Sequence, residues 1–141
     1  MNKYANRMQI KQIARSLSVS ADTVRYYTRI GYVTPTRNLS NGYKEYGKRD
    51  IDRMRFILSA RQLGFSVEDI GLFIKEAGKG RTACPLVRNL VSHRLKVTEV
   101  RFKEVQALRN RMKKAVREWE AKPNKVPTGS MVCHLIENLN A

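Results

Sequence analysis

Four side chains in this 141-residue chain carry the donor atoms best suited to holding a metal ion or meeting an electrophile: Cys84, His93, Cys133 and His134. Two thiolates suit a soft ion in linear or low coordination. An added nitrogen or oxygen donor would suit a zinc-like tetrahedral ion. The same thiols offer oxidant or electrophile sensing as the alternative chemistry. Cys84 stands just ahead of Pro85, a residue at home in the first turn of a helix. The N–H groups at the start of a helix attract negative charge, which suits a thiolate. His134 follows Cys133 directly, and neighbouring side chains on a helix diverge by about 100°. It is the obvious extra donor, but one that points away from the thiol. His93 lies about two and a half helical turns beyond Cys84 and faces the other way, as a packed or solvated residue would. Other chemistry is thin. Acidic residues are scattered, with no Ser/His/Asp set and no carboxylate pair, so catalysis is not supported. Gly78-Lys79-Gly80-Arg81 lacks the spacing of a phosphate-binding loop and follows no strand, and it reads as a hinge.

The second resource is positive charge. Lysine and arginine number 28 against 12 aspartates and glutamates, a net charge of +16. Such an excess favours a polyanionic partner, nucleic acid ahead of an acidic membrane surface. No apolar run is long enough to span a bilayer, and Met1 to Arg7 is polar and basic with no apolar segment behind it. The expected setting is a reducing cytoplasm, where two cysteines are no disulfide framework. The length allows one or two small units with a modest core.

Several elements must position these groups. After a basic extension, residues 1–7, the apolar positions Met8, Ile10, Ile13, Ala14 and Leu17 suit one face of a short helix. Ser18-Val19 breaks it, and Ser20 caps a second helix that ends at Gly31. Two short helices so joined form a helix-turn-helix, whose second helix enters the major groove by its N-terminal part. Here that part presents Thr23, Arg25 and Tyr26, with Val24 and Tyr27 turned to the core. Asn41-Gly42 within residues 32–46 predicts a tight hairpin, a wing carrying Arg37, Tyr43, Lys44 and Tyr46. Asp50 is placed to cap a third helix closed by Gly64. Ser66 and Asp69 open a fourth in a capping-box arrangement. Residues 8–77 thus form the head, with a hinge over 78–83.

From residue 84 to 120 the pattern is one long helix, on the order of 50 Å at ~1.5 Å per residue. Val91, Leu95, Phe102, Val105, Met112, Val116 and Trp119 fall on alternating steps of four and three, with Thr98 and Arg109 between them. That is a coiled-coil seam, and one amphipathic helix cannot bury it alone. A homodimer is expected. Residues 121–141 follow as a Pro/Gly-containing loop and a last short helix over Met131 to Leu139, capped by Ser130.

Thr23-Val-Arg-Tyr-Tyr27, Ile30-Gly-Tyr-Val33, Asn41-Gly-Tyr-Lys-Glu-Tyr46 and Arg61-Gln-Leu-Gly-Phe-Ser66 strongly resemble the winged helix-turn-helix head of MerR-family transcription regulators. The resemblance implies a mainly α fold: a head of four helices and a two-stranded wing, an antiparallel pair of long dimerisation helices and a C-terminal sensor segment. It implies DNA contact by Thr23, Arg25 and Tyr26 from the recognition helix, by Arg37, Tyr43, Lys44 and Tyr46 from the wing, and by Arg61. Lys44 stands where the family commonly has arginine. It keeps the charge but cannot grip bidentately. The implied partners are double-stranded promoter DNA, a second copy of the chain and RNA polymerase on the promoter, and the implied mode is activation by promoter distortion.

Within the family, Cys84-Pro-Leu86 and Val132-Cys-His-Leu-Ile136 resemble the metal-responsive branch. There a soft or borderline ion is held between the helix-start cysteine of one protomer and tail cysteines of the other. Residues 122–128 lack the loop thiol usual in that branch, which leaves the ion's identity open. An architectural nucleic-acid binder relying on charge alone is the reading of a different class. It predicts steep salt dependence without sequence preference.

Overall fold

The computed structural model describes residues 7–139. They fall into two compact units that divide between Arg94 and Leu95. Of the expected basic extension, all but Arg7 lies outside the described residues.

The first unit holds helices α1 (Ile10–Ser16) and α2 (Ala21–Arg29), strands β1 (Thr36–Arg37) and β2 (Lys44–Glu45), helices α3 (Lys48–Gln62) and α4 (Val67–Gly78), and the opening turns of α5 (Cys84–Trp119). Local chemistry sets most boundaries. The Ser20 hydroxyl accepts the Thr23 N–H at 3.1 Å and opens α2. At its other end Gly31 takes a left-handed φ of 85°, and the Tyr32 N–H returns to the Tyr27 carbonyl at 3.0 Å. That bond satisfies carbonyls the helix leaves open, in a conformation that costs glycine little. Ser66 and Asp69 make the full capping box at the start of α4.

Three boundaries differ from expectation. Asp50 is not the residue ahead of α3 but its third residue. Gly47 is the cap, and the Asp50 carboxylate accepts the Gly47 N–H at 2.9 Å. Helix α4 continues through Gly78, which removes that glycine from the hinge. The remaining link is pinned, because Arg81 donates twice to the Glu76 carboxylate, at 2.9 and 3.1 Å. Finally, the wing does not turn on Asn41-Gly42 alone. β1 and β2 pair antiparallel with Thr36 opposite Glu45 and Arg37 opposite Lys44. The loop closes with the Asn38 N–H on the Tyr43 carbonyl and the Gly42 N–H on the Asn38 carbonyl, both at 2.8 Å. Gly42 alone in that pair has positive φ, whereas the type I′ turn that Asn-Gly favours needs it at both positions.

The core of this unit gathers Ile13 and Ala14 of α1, Val24 and Tyr27 of α2, Met54 and Ile57 of α3, and Ile70 and Phe73 of α4, with Val33, Tyr46 and Phe65. Full burial of a large apolar side chain contributes about 1.5–3 kcal/mol. Leu86, Val87, Leu90 and Val91 of α5 pack against the same cluster.

In the second unit α5 continues to Trp119 with one buried residue, Ala115. Leu95, Phe102, Val105, Met112 and Val116 are exposed. The last helix, α6, is shorter than expected, His134–Glu137, and begins after Cys133 rather than after Ser130. The Glu137 carboxylate explains the late start. It accepts the N–H groups of Val132 and Cys133, which holds both ahead of the helix. His134 is buried, its Nε2 2.9 Å from the Pro123 carbonyl, and so ties the loop to α6. Among the described residues no helix is long and apolar enough to cross a membrane.

Candidate functional site

The cationic residues converge on one cleft of about 860 Å³ between the start of α1, helix α2 and the wing. Arg25, Arg37, Tyr43 and Lys44, all expected at the interface, line it, and Lys11 and Arg29 join them. Helix α2 supplies Arg25 and Arg29 four residues apart, hence on one face. Tyr26 is 36% exposed beside them, with the Arg29 guanidinium 5.4 Å from its ring centre. Asp22 holds the Arg25 guanidinium at 2.6 Å, an exposed pair that orients the arginine along the helix. On the wing, Arg37 donates to the Gly42 carbonyl at 3.0 Å. Tyr43, 62% exposed, stands out from the loop. A channel with cations on both sides and an aromatic at its lip suits a phosphate backbone, with few groups left to read bases.

Of the other expected contacts, Thr23, Tyr26 and Arg61 do not line this cleft, and Tyr46 lies in its floor. The Thr23 hydroxyl lies 2.9 Å from that of Ser20 and belongs to the helix cap. Arg61 is exposed near the α3–α4 turn, where it donates to the Phe65 carbonyl at 2.8 Å. Tyr46 corrects the expectation of a wing residue that reaches DNA. It has no exposed surface. Its backbone pairs with Met8 at 2.7 and 2.8 Å, and its hydroxyl lies 2.9 Å from that of Thr28. The reason is its position just past β2, where Met8 draws it under α2. Lys11 and Arg29 were missed. For Arg29 a signal existed, four residues beyond Arg25 on the exposed face of the helix. For Lys11 none did, because its nearness to the wing is a tertiary fact.

The thiols are in different units and are described separately. Cys84 is exposed and is the first residue of α5, with its N–H donated to the Thr82 hydroxyl at 3.2 Å. Pro85 is therefore the second helical residue rather than the first. Cys133 is half-buried, and its N–H is donated to Glu137 at 3.0 Å. His134, expected as an additional ligand, has its Nε2 2.9 Å from the Pro123 carbonyl, which leaves Nδ1 as the nitrogen open to an ion. Among the described residues no three histidine, cysteine, aspartate or glutamate side chains of one chain come together as a metal site.

Helix-turn-helix, wing and cationic cleft together define a winged helix-turn-helix head. Residues 8–77 match the family model described as MerR HTH family regulatory protein, and residues 51–115 match that described as MerR, DNA binding. The heavy metal-dependent transcription regulator 2 of Rhizobium meliloti is 40% identical over 63 residues, 45% of this chain and 43% of that protein. The chain thus spans less than half of that relative. The HTH-type transcriptional regulator ZntR of Escherichia coli K12 is 32% identical over 108 residues, 75% of this chain and 76% of that protein. Among solved structures, the transcription regulator PbrR691 from Ralstonia metallidurans CH34, in complex with lead(II), superposes with a TM-score of 0.69. The identity is 19%, with 94% of this chain and 98% of that one covered. The chain belongs to the MerR family of HTH regulatory proteins.

Proposed function

We propose that this MerR-family protein is a dimeric transcription activator that binds promoter DNA through two copies of the cationic cleft and answers to a soft or borderline metal ion. The observation that carries the DNA reading is the convergence of Arg25, Arg37 and Lys44, with Lys11 and Arg29, on one channel. The N-terminal part of α2 enters the major groove, and the wing and Arg61 hold the backbone on either side. Cations of this kind set register and affinity, and sequence is read by few of them.

The exposed seam of α5 supports the dimer. Leu95, Phe102, Val105, Met112 and Val116 lie on one stripe, and a second α5 is the surface that such a stripe fits. Two heads joined in this way engage a pseudo-palindromic site. Flexible steps in its spacer let the dimer bend and underwind it toward RNA polymerase.

Cys84 of one protomer and Cys133 of its partner would hold the ion, which when bound supplies a cross-link between chains. Relatives named for heavy metals and a lead-bound structural neighbour support this reading, as does the thiol at the start of the helix that packs on the head. Sensing of oxidants or electrophiles by the same thiols is the alternative.

Selection of duplexes from a random library, followed by footprinting against competitor DNA, tests the head. One protected site is expected, with affinity reduced on the order of 1–3 kcal/mol by Arg25→Ala. Binding without sequence preference sinks it and returns the architectural reading. Absorbance titration of wild type, Cys84→Ser and Cys133→Ser with Zn(II), Cu(I) and Pb(II) tests the thiols. Equal affinity in all three proteins ends the metal reading.

A further inference from the structure

Helix α5 is joined to the head by more than apolar packing. Arg94 directs Nε and Nη2 at a single oxygen, Oδ2 of Asp69, with Nε at 2.9 Å. The same oxygen accepts the Ser66 N–H at 3.0 Å and completes the capping box of α4. One carboxylate thus both starts α4 and anchors α5. Burial by itself would push the Asp69 carboxyl up. The Ser66 N–H, the Arg94 guanidinium and the Ser66 hydroxyl outweigh it and hold the group below the usual aspartate range. Arg94 is half-buried and Asp69 is buried, so this pair is less screened than a surface one.

Two residues before Asp69, the Val67 carbonyl accepts the Tyr32 hydroxyl at 2.8 Å. Gly71, one turn on, makes room for that ring. A Cβ there would lie 3.0 Å from Tyr32 Cζ and closer still to its oxygen. The Tyr32 ring stacks on Tyr27 with centroids 6.3 Å apart, and Tyr27 meets Tyr26 edge-on at 5.1 Å. Tyr26 stands on the exposed face of α2. An unbroken series of contacts therefore runs from Arg94 on the long helix, through the first turn of α4, to the recognition helix.

We infer that Arg94, Asp69 and Tyr32 are positioning residues: they hold α2 at the angle that α5 dictates, and through them a change at α5 reaches the DNA-contacting face. The inference rests on the head being the DNA-binding element of a regulator. Contacts alone are no proof of coupling, so the test must read α2 while the perturbation sits on α5.

Backbone amide exchange on the full metal-free chain gives that reading. Arg94→Gln is expected to speed exchange over Val24 to Tyr32 by about 2- to 30-fold, the range for residues that carry coupling. Amides in the buried parts of α1 and α3 stay as in wild type. Arg94→Lys, which keeps the charge but not the fork, restores part of the protection. Tyr32→Phe, which removes one hydroxyl, reproduces the change in α2 and leaves Ser66 to Asp69 protected. The inference is overturned if faster exchange is confined to α4 and α5, or spreads evenly through α1 and α3. Should Arg94→Gln fail to fold, Tyr32→Phe decides alone. Footprinting of wild type separates the two levels: no specific site ends the regulator reading, whereas a specific site with unmoved α2 amides ends only this one.

Discussion

Tyr46→Phe decides between two roles for a tyrosine that the family resemblance places on DNA and the structure places in the core. Thr28 Oγ1 donates its proton to the Val24 carbonyl at 2.8 Å. The Tyr46 hydroxyl 2.9 Å away must therefore be the donor to Thr28. Loss of that hydroxyl removes one hydrogen bond in a site with no exposed tyrosine surface, at a cost of about 1 kcal/mol. The ring remains, so no cavity opens. For a domain the size of the head, about 1 kcal/mol lowers the unfolding midpoint by roughly 4–8 °C. Calorimetry on the full chain reads this shift, and fluorescence anisotropy with a selected duplex reads affinity. Expected are a lower midpoint and an operator affinity within about twofold of wild type, less than 0.5 kcal/mol on the scale of 1.4 kcal/mol per tenfold. An unchanged midpoint with affinity lowered tenfold would show the hydroxyl at work on DNA and refute the burial argument.

Other outcomes follow from the same geometry. Asp69 is held below its ordinary range, so its bonds stabilise the head fully above the unfolded carboxyl's pKa, about 3.9, and are lost as pH falls through the lower folded value. Acid unfolding below about pH 4 should show this loss in wild type and less of it in Arg94→Gln, and identical acid limbs would remove Arg94 from the account. Each cleft cation that neutralises a phosphate should add about 0.9 to the slope of log affinity against log salt. Arg29→Ala and Lys11→Ala should each flatten the slope by about that amount, and an unaltered slope would place that residue off the DNA. Phe102→Glu, at a seam position 61% exposed in the single chain, should yield monomers by sedimentation velocity at micromolar concentration. A dimer that survives it would move the interface away from the seam.

Local signals in the chain were reliable where local chemistry decides. Ser20, Ser66 and Gly31 mark helix ends in the sequence and do so in the structure, since a cap bonds to residues two or three positions away. Val24 and Tyr27 were legible as core from helical spacing. The failures are tertiary. Asn41-Gly42 has the composition of a tight turn, but the pairing of Asn38 with Tyr43 fixes a longer loop. Tyr46 reads as an exposed wing aromatic until Met8 pairs with it. Of the cleft, the residue types on α2 and the wing were legible from charge and order, whereas Lys11 required the fold. The carboxylate that joins α4 to α5 was legible only as half of a capping box, because its other partner lies 25 positions along the chain.

Regulation by a metal ion requires a link between the thiols and the grip on DNA, and such a link must act in both directions. The measurement is operator affinity and spacer distortion by the protein, with and without Zn(II), Cu(I) or Pb(II), in wild type and Cys84→Ser. Wild type should show, for at least one ion, altered distortion or affinity, matched by an equal change in that ion's affinity when the duplex is present. Cys84→Ser should bind the same site and show neither. Identical DNA complexes with and without every ion, in a protein that binds those ions through Cys84, would contradict it.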